Sequence, residues 1–190
     1  MACEVFVPYD GSVPPDTLPE EWRGCVGFPY YQVSSRGRVR RCVTVRGRPP
    51  NVLKPWLRAG YLTVDLQRED GQRRREYVHR LVGMAFLGLT KNHQIDHRAH
   101  DRTNNTVGAI RVATRAENMR NLRSRVHSSR YKGVSWGTRQ RKWFACIHAD
   151  HRTRSLGLFD DEIAAAKAYD RAALAAWGEF AFLNFPPVER

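Results

Sequence analysis

The sequence predicts an α+β protein assembled from small modules: a β-hairpin module, a ββα module, and a three-stranded antiparallel sheet packed on one long helix. Three observations carry this. Alternating apolar and polar runs recur between turn residues, the signature of short antiparallel strands. One segment, DEIAAAKAYDRAALAAWG, has alanines every three to four residues, the period of a helix face. Between these textures lies RSRVHSSR, Arg123 to Arg130, which is short, polar and basic, a linker composition.

Taken in order, residues 1–19 are rich in Pro and Gly and read as an extended arm. A compact run begins at Glu20. YYQVS alternates, SRG makes a turn, and RVRRCVTVR alternates again, so a hairpin is expected. YLTVDL and RREYVH then form two strands joined by the turn tripeptide EDG. In HRLVGMAFL, Leu81, Val82, Ala85 and Phe86 fall at helical spacing, and Gly88 closes the helix. A polar loop follows from Gln94, then IRVAT suits a brief strand. Thr114 and Glu117 are spaced as a capping box, which starts a helix at Arg115. Past the linker, YKGVSW, KWFACIHAD and TRSLGLF read as a three-stranded meander. Asp160 or Asp161 caps the long helix and Gly178 ends it; Ala165, Ala168, Ala172 and Ala176 form the stripe that lies on the sheet.

The chain of 190 residues carries a net charge of +13, mostly from arginine, with an isoelectric point near 10.3. A basic excess of this size is the footprint of a nucleic-acid binder. No segment approaches the roughly 18 to 20 apolar residues of a membrane span. MACEVFVPYDG has no charged region followed by an apolar core, so a signal peptide is not expected and a cytoplasmic location follows. Cys3, Cys25, Cys42 and Cys146 are scattered with no C-x-x-C pair, which argues against zinc and for reduced thiols.

Two constellations carry chemistry. The meander gathers Lys132, Ser135, Trp136, Arg139, Arg141, Lys142, His148, Arg152 and Arg154. If one face packs on the alanine stripe, the other is basic with interleaved aromatics, suited to a major groove. The second lies in QIDHRAHDRTNNTVGAIRVATRAENMRN. Phosphodiester hydrolysis needs a base to activate water and a cation to neutralise developing charge. His97 supplies the imidazole, Asp96 a carboxylate beside it, and Asn118, in the first turn of the following helix, an amide oxygen. Oxygen donors suit Mg²⁺ or Mn²⁺ better than zinc.

Resemblances sharpen both. From Ser129 to Pro186, the elements KGV, WFACI, LGLF, AAKAYDRAA and GEFAFLNFP closely resemble the DNA-binding domain of plant ethylene-response factors (APETALA type), also found in phage and bacterial homing endonucleases. The resemblance implies a sheet in the major groove of double-stranded DNA, with helix alanines behind it. Ser135 and Ser155 depart from the family's usual arginine and tryptophan, so base preference does not transfer. EYVHRLVGMAFLG, QIDH, NN and IRVATRAENMRN resemble the HNH endonucleases of phages and group I introns, which have a ββα-metal fold. EEWRGCVGFPYYQVSSRGRVRR resembles a small module that commonly precedes them.

These resemblances imply a nuclease-associated DNA-binding module over 20–58, gripping DNA through Arg36, Arg38 and Arg40. They imply an HNH module over 59–122, a linker over 123–128 and the ethylene-response-like domain over 129–187. They cast His97 as the general base, Asp96 and Asn118 as ligands of Mg²⁺ or Mn²⁺, and Asn105 as a brace of the loop. His79, in VHRLV, reads as packing. The implied activity is a site-directed, nicking DNA endonuclease in a bacterial or phage-infected cell, monomeric or dimeric.

One residue departs from the pattern. The family's middle asparagine, twelve residues after the histidine, is Ala109. Two readings stay open: catalysis lost, leaving a DNA-binding protein or regulator, or bracing taken over by Asn105, Asn104 or His100.

Overall fold

The computed structural model describes residues 19–122, 128–149 and 152–186. The expected arm, apart from Pro19, and the expected linker, apart from Ser128, lie outside these. The chain divides into two compact units, 1–115 and 116–190.

Among its described residues, the first unit holds three antiparallel sheets, a two-stranded ribbon being the last of them, and one helix. β1 (Trp22–Cys25), β2 (Phe28–Ser34), β3 (Val39–Arg41) and β4 (Asn51–Val52) form one sheet in that order. The expected hairpin is thus the centre of a larger sheet, with an extra strand on each edge. β5 (Trp56–Arg58), β6 (Tyr61–Gln67) and β7 (Arg73–Tyr77) form the second. The EDG turn lies between β6 and β7 as expected. β5 carries no signal in the sequence, since its three residues are all exposed and show no alternation.

α1 (Val78–Phe86) follows β7 directly, taking over the last two residues of the expected strand RREYVH. It buries Val78, Leu81, Val82 and Phe86 at helical spacing. Arg23 of β1 ties down its C-terminal end, with Nη1 donating to the Ala85 carbonyl at 3.1 Å and the guanidinium 4.6 Å from the Phe86 ring. β8 (Gln94–His97) and β9 (Ile110–Ala113) pair as the ribbon. QIDH, expected as loop, is therefore a strand.

One hydrophobic core serves all of this. Phe28, Tyr31, Val33 and Val39 from the first sheet meet Val64 and Leu66 from β6, the buried stripe of α1, and Val107 and Ile110. The segments expected as separate modules, 20–58 and 59–122, share that core up to the unit's end.

Two close approaches fix the ribbon and its loop. A Cβ at Gly83 of α1 would stand 2.5 Å from Ile95 Cδ1, so the glycine gives the Ile95 side chain of β8 its place against the helix. At Gly37, φ is +74° and a Cβ would stand 2.9 Å from the Asn105 carbonyl oxygen. Both the conformation and the space there exclude a side chain. Beside it, the Val107 N–H donates to the Ser35 carbonyl at 2.9 Å.

The second unit begins within α2 (Arg115–Arg120), the helix expected from the Thr114–Glu117 spacing. β10 (Val134–Gly137), β11 (Lys142–Ala149) and β12 (Arg152–Phe159) form the meander, in order. Asp161 caps α3 (Glu162–Trp177) by accepting from the N–H groups of Ile163 and Ala164. The alanine stripe runs through Ala165, Ala166, Ala168 and Ala173, with Tyr169 buried among them. Ala176 is exposed instead, and the half-buried Trp177 takes the last position over the sheet.

Gly133, at φ +75°, makes room for Tyr169: a Cβ there would stand 1.9 Å from the tyrosine ring. The end of the domain is tied back by Asn184, which accepts from the Lys132 N–H at 2.7 Å and donates to Asp170 at 3.0 Å. Among the described residues, no helix is long and apolar enough to cross a membrane.

Candidate functional site

Antiparallel register builds the core of the site. β8 pairs Asp96 with Arg111 and His97 with Ile110 on β9. Asp96 and Arg111 are therefore cross-strand neighbours. Arg111 Nε and Nη2 donate to Asp96 Oδ2 at 2.8 and 2.7 Å. Both are almost fully buried, at 4% and 7% exposure for Asp96 and Arg111. A pair this dry depends on its geometry, because stripping either partner leaves a charge without water. Sequence reasoning misses Arg111. The only signal is its place in IRVAT, and the pairing that gives it meaning becomes visible only with the register.

His97 lies next to Asp96, buried. Its Nε2 is 3.1 Å from Asn105 Oδ1, and Asn105 Nδ2 donates to the Thr103 carbonyl at 3.2 Å. That second bond fixes the amide: Oδ1 is the acceptor, so Nε2 carries the proton and Nδ1 is the basic nitrogen. Burial pushes the His97 pKa below the ordinary histidine range, against the opposing pull of the Asn105 bond, Asp96 and Asp101. The imidazole is thus neutral at physiological pH.

An aromatic wall packs on it. His79 lies 5.4 Å away edge-on, and Tyr61 5.9 Å away. Burial, with smaller contributions from His97 and Arg80, drives the His79 pKa to about 3. A ring held neutral at ordinary pH, with a buried, unbonded Nδ1, is a packing element.

The loop from 98 to 109 is held by its own side chains. Asp101 Oδ1 accepts from the Thr103 N–H and hydroxyl at 2.9 and 2.6 Å. Asn104 Oδ1 accepts from the Thr106 N–H and hydroxyl. The His100 N–H donates to the His97 carbonyl at 3.0 Å. The Ala109 methyl cannot hydrogen-bond, but its backbone still joins the two sides: its carbonyl accepts from the Arg98 N–H at 2.9 Å. The structure thus brings together Asp96, His97, Asn105 and Ala109. Asn118 stands half-buried on α2, in the second unit.

The basic residues expected to touch DNA fall into two groups. Arg36 and Arg38 are both exposed, Arg38 being ion-paired with Glu20, and Arg40 stacks 4.2 Å over Trp22 while bonding Gln32. In the second unit, Arg139, Arg141, Arg152 and Arg154 are exposed, and His148 is exposed with Nδ1 3.1 Å from Thr153 Oγ1. Lys142 reaches Asp160 at 3.1 Å. Trp136 packs edge-on against Trp143 at 5.0 Å. Lys132 points inward. Its Nζ donates to the carbonyls of Arg120 and Leu122 at 2.6 and 2.7 Å, and burial lowers its pKa to about 8.

Comparisons with known proteins bear on each part of this layout. The family model described as HNH endonuclease matches residues 76–120, and the NUMOD4 motif matches residues 20–67. An AP2/ERF and B3 domain-containing protein of Oryza sativa subsp. japonica is 52% identical over 59 residues, 31% of this chain and 16% of that protein. An AP2-like ethylene-responsive transcription factor of Arabidopsis thaliana is 33% identical over 113 residues, 52% of this chain and 37% of that protein. The chain thus spans well under half the length of these curated relatives. Among solved structures, the HNH homing endonuclease I-HmuI is 29% identical, with a TM-score of 0.46 over 53% of this chain and 56% of that one. Residues 76–120 thus match the HNH endonuclease model, and residues 20–67, which lead into them, match the NUMOD4 motif.

Proposed function

We propose that the chain is a metal-dependent endonuclease that nicks duplex DNA, with His97 as its general base. The observation that carries this is the buried His97–Asn105 pair. A neutral imidazole whose tautomer is fixed by an anchored amide is prepared to take a proton from water at Nδ1.

Asp96 and Asn118 are the residues that would hold Mg²⁺ or Mn²⁺. Their oxygens are hard donors, which fits such an ion and leaves most of its positions for water and phosphate oxygens. When bound, the cation neutralises charge building on the phosphate and leaving oxygen. Arg111 orients the Asp96 carboxylate through Oδ2. Asn105 takes over the bracing that the family assigns to the position of Ala109. A single base implies one strand cut per binding event.

We assign 20–58 to DNA contact and 59–122 to cleavage, functional divisions laid over a shared core. We assign 129–187 to major-groove binding through Arg139, Arg141, Lys142, His148, Arg152 and Arg154, with Lys132 serving the fold. Tandem grips on one duplex raise affinity through effective concentration.

Incubating supercoiled plasmid carrying the cognate site with Mg²⁺ or Mn²⁺ tests the proposal. Nicked circles that disappear with His97→Ala support it. A second reading, a DNA-binding protein without cleavage, rests on Ala109. Tight binding with no nicking, and nicking gained by Ala109→Asn, would establish that reading instead.

A further inference from the structure

The chain between β3 and β4 turns at Val45, Arg46, Gly47 and Arg48. The two outer residues form a bridge, with the Val45 N–H donating to the Arg48 carbonyl at 3.1 Å and the reverse bond at 3.0 Å. Both central residues have positive φ, +50° at Arg46 and +73° at Gly47. This is the pattern of a type I′ turn, whose first central position favours Asn, Asp or Gly. An arginine there works against local preference. Such a departure points to a task for the side chain itself.

The side chain is well placed for one. Arg46 lies against the β6–β7 turn, where a Cβ on Gly71 would stand 2.8 Å from its Nη2. Between the two turns is a recess of about 370 Å³ floored by the buried Tyr31 and lined by Arg41, Arg46, Arg48 and Arg73. Arg41 is held in place by the Pro49 carbonyl and Asn51 Oδ1. The one carboxylate in the lining, Asp65, is engaged by Arg75 at 3.2 Å. Among the described residues, no carboxylate pairs with Arg46, Arg48 or Arg73. Like charges gathered around one hollow repel, and an anion in the hollow turns that repulsion into attraction. Guanidinium forks match the oxygens of a phosphate in particular.

We propose that this recess is a phosphate-binding cup formed by Arg41, Arg46, Arg48 and Arg73, and that it takes a backbone phosphate of duplex DNA. The choice of DNA over a free phosphate rests on the nuclease reading above. The cup adds a grip on DNA separate from Arg36, Arg38 and Arg40.

The test uses the full chain in EDTA, so that no cleavage enters. A labelled random-sequence duplex is titrated at several salt concentrations with wild type, Arg46→Asn, and the triple variant R46N/R48Q/R73Q. Inorganic phosphate is titrated separately by calorimetry. The triple variant is expected to bind duplex about tenfold more weakly, with a salt slope shallower by about 0.9, as for one phosphate no longer neutralised. Arg46→Asn alone is expected to raise the melting temperature, because asparagine suits the turn, while weakening binding.

Unchanged affinity and slope in the triple variant would overturn the cup, and so would an Arg46→Asn protein with lower stability and unaltered binding. If the triple variant loses only the binding of inorganic phosphate, the assignment to DNA is overturned in favour of a free anion. Should wild type bind no duplex at all, the nuclease reading fails, while the phosphate titration still decides whether the cup exists.

Discussion

The two polar surfaces of this chain are built on opposite terms. In the β8–β9 ribbon and its loop, Asp96, His97, Asn105 and Arg111 are all buried, and each bonds to a neighbour. On the β10–β12 sheet, Arg139, Arg141, Arg152 and Arg154 stand in solvent, over a core made largely of alanine. Chemistry requires atoms held to within fractions of an ångström, which burial and bonding supply. Recognition of a charged polymer calls for cations within its reach, which exposure supplies. On the function proposed above, the same residue types serve positioning in one unit and DNA contact in the other.

The contrast breaks most visibly at the base. His97→Ala should lower cleavage on the order of a thousandfold and leave duplex affinity unchanged; plasmid nicking and fluorescence anisotropy read the two. Arg111→Met should strip a buried carboxylate of its partner and cost about 3 kcal/mol of stability, measured by urea denaturation. The double variant D96N/R111M should recover part of that loss. Asn105→Ala should slow cleavage about a hundredfold through misplacement of the imidazole. Ala109→Asn should change the rate little, because the brace is already present.

Acid probes the same site through its wall. His79 titrates near 3 in the fold and near 6.5 when unfolded. Between those values the unfolded chain binds the extra proton, so stability is full above pH 6.5 and falls as pH drops. About 2 kcal/mol should be lost by pH 5. Denaturation midpoints at pH 7 and pH 5 measure it, and His79→Phe should flatten the difference. The smallest effect belongs to the exposed face. R139Q/R152Q should weaken duplex binding several-fold and make its salt slope shallower by about 0.9 for each phosphate those arginines neutralise. Cleavage of the bound complex should be unaffected.

Much of the fold is legible in the sequence because local rules govern it. The EDG turn, the apolar spacing of α1 and the Asp161 cap each depend on residues within a few positions of one another. Two features are not legible. β8 reads as loop because Gln94, Asp96 and His97 are polar, and what makes it a strand is Arg111 and its neighbours on β9, across the loop from 98 to 109. Arg46 hides for the opposite reason: the usual signal for such a turn begins with asparagine, and the sequence there has arginine. For the site itself, adjacency shows Asp96 and His97, while the bond from Asn105 and the pairing by Arg111 become visible only in three dimensions.

Gly37 belongs to the NUMOD4 segment, yet it abuts the backbone of the residue that orients the HNH histidine. The leading segment thus packs directly on the loop whose Asn105 holds His97. Exchanging it for another segment would disturb His97 unless the new piece brought a bare backbone to the same spot.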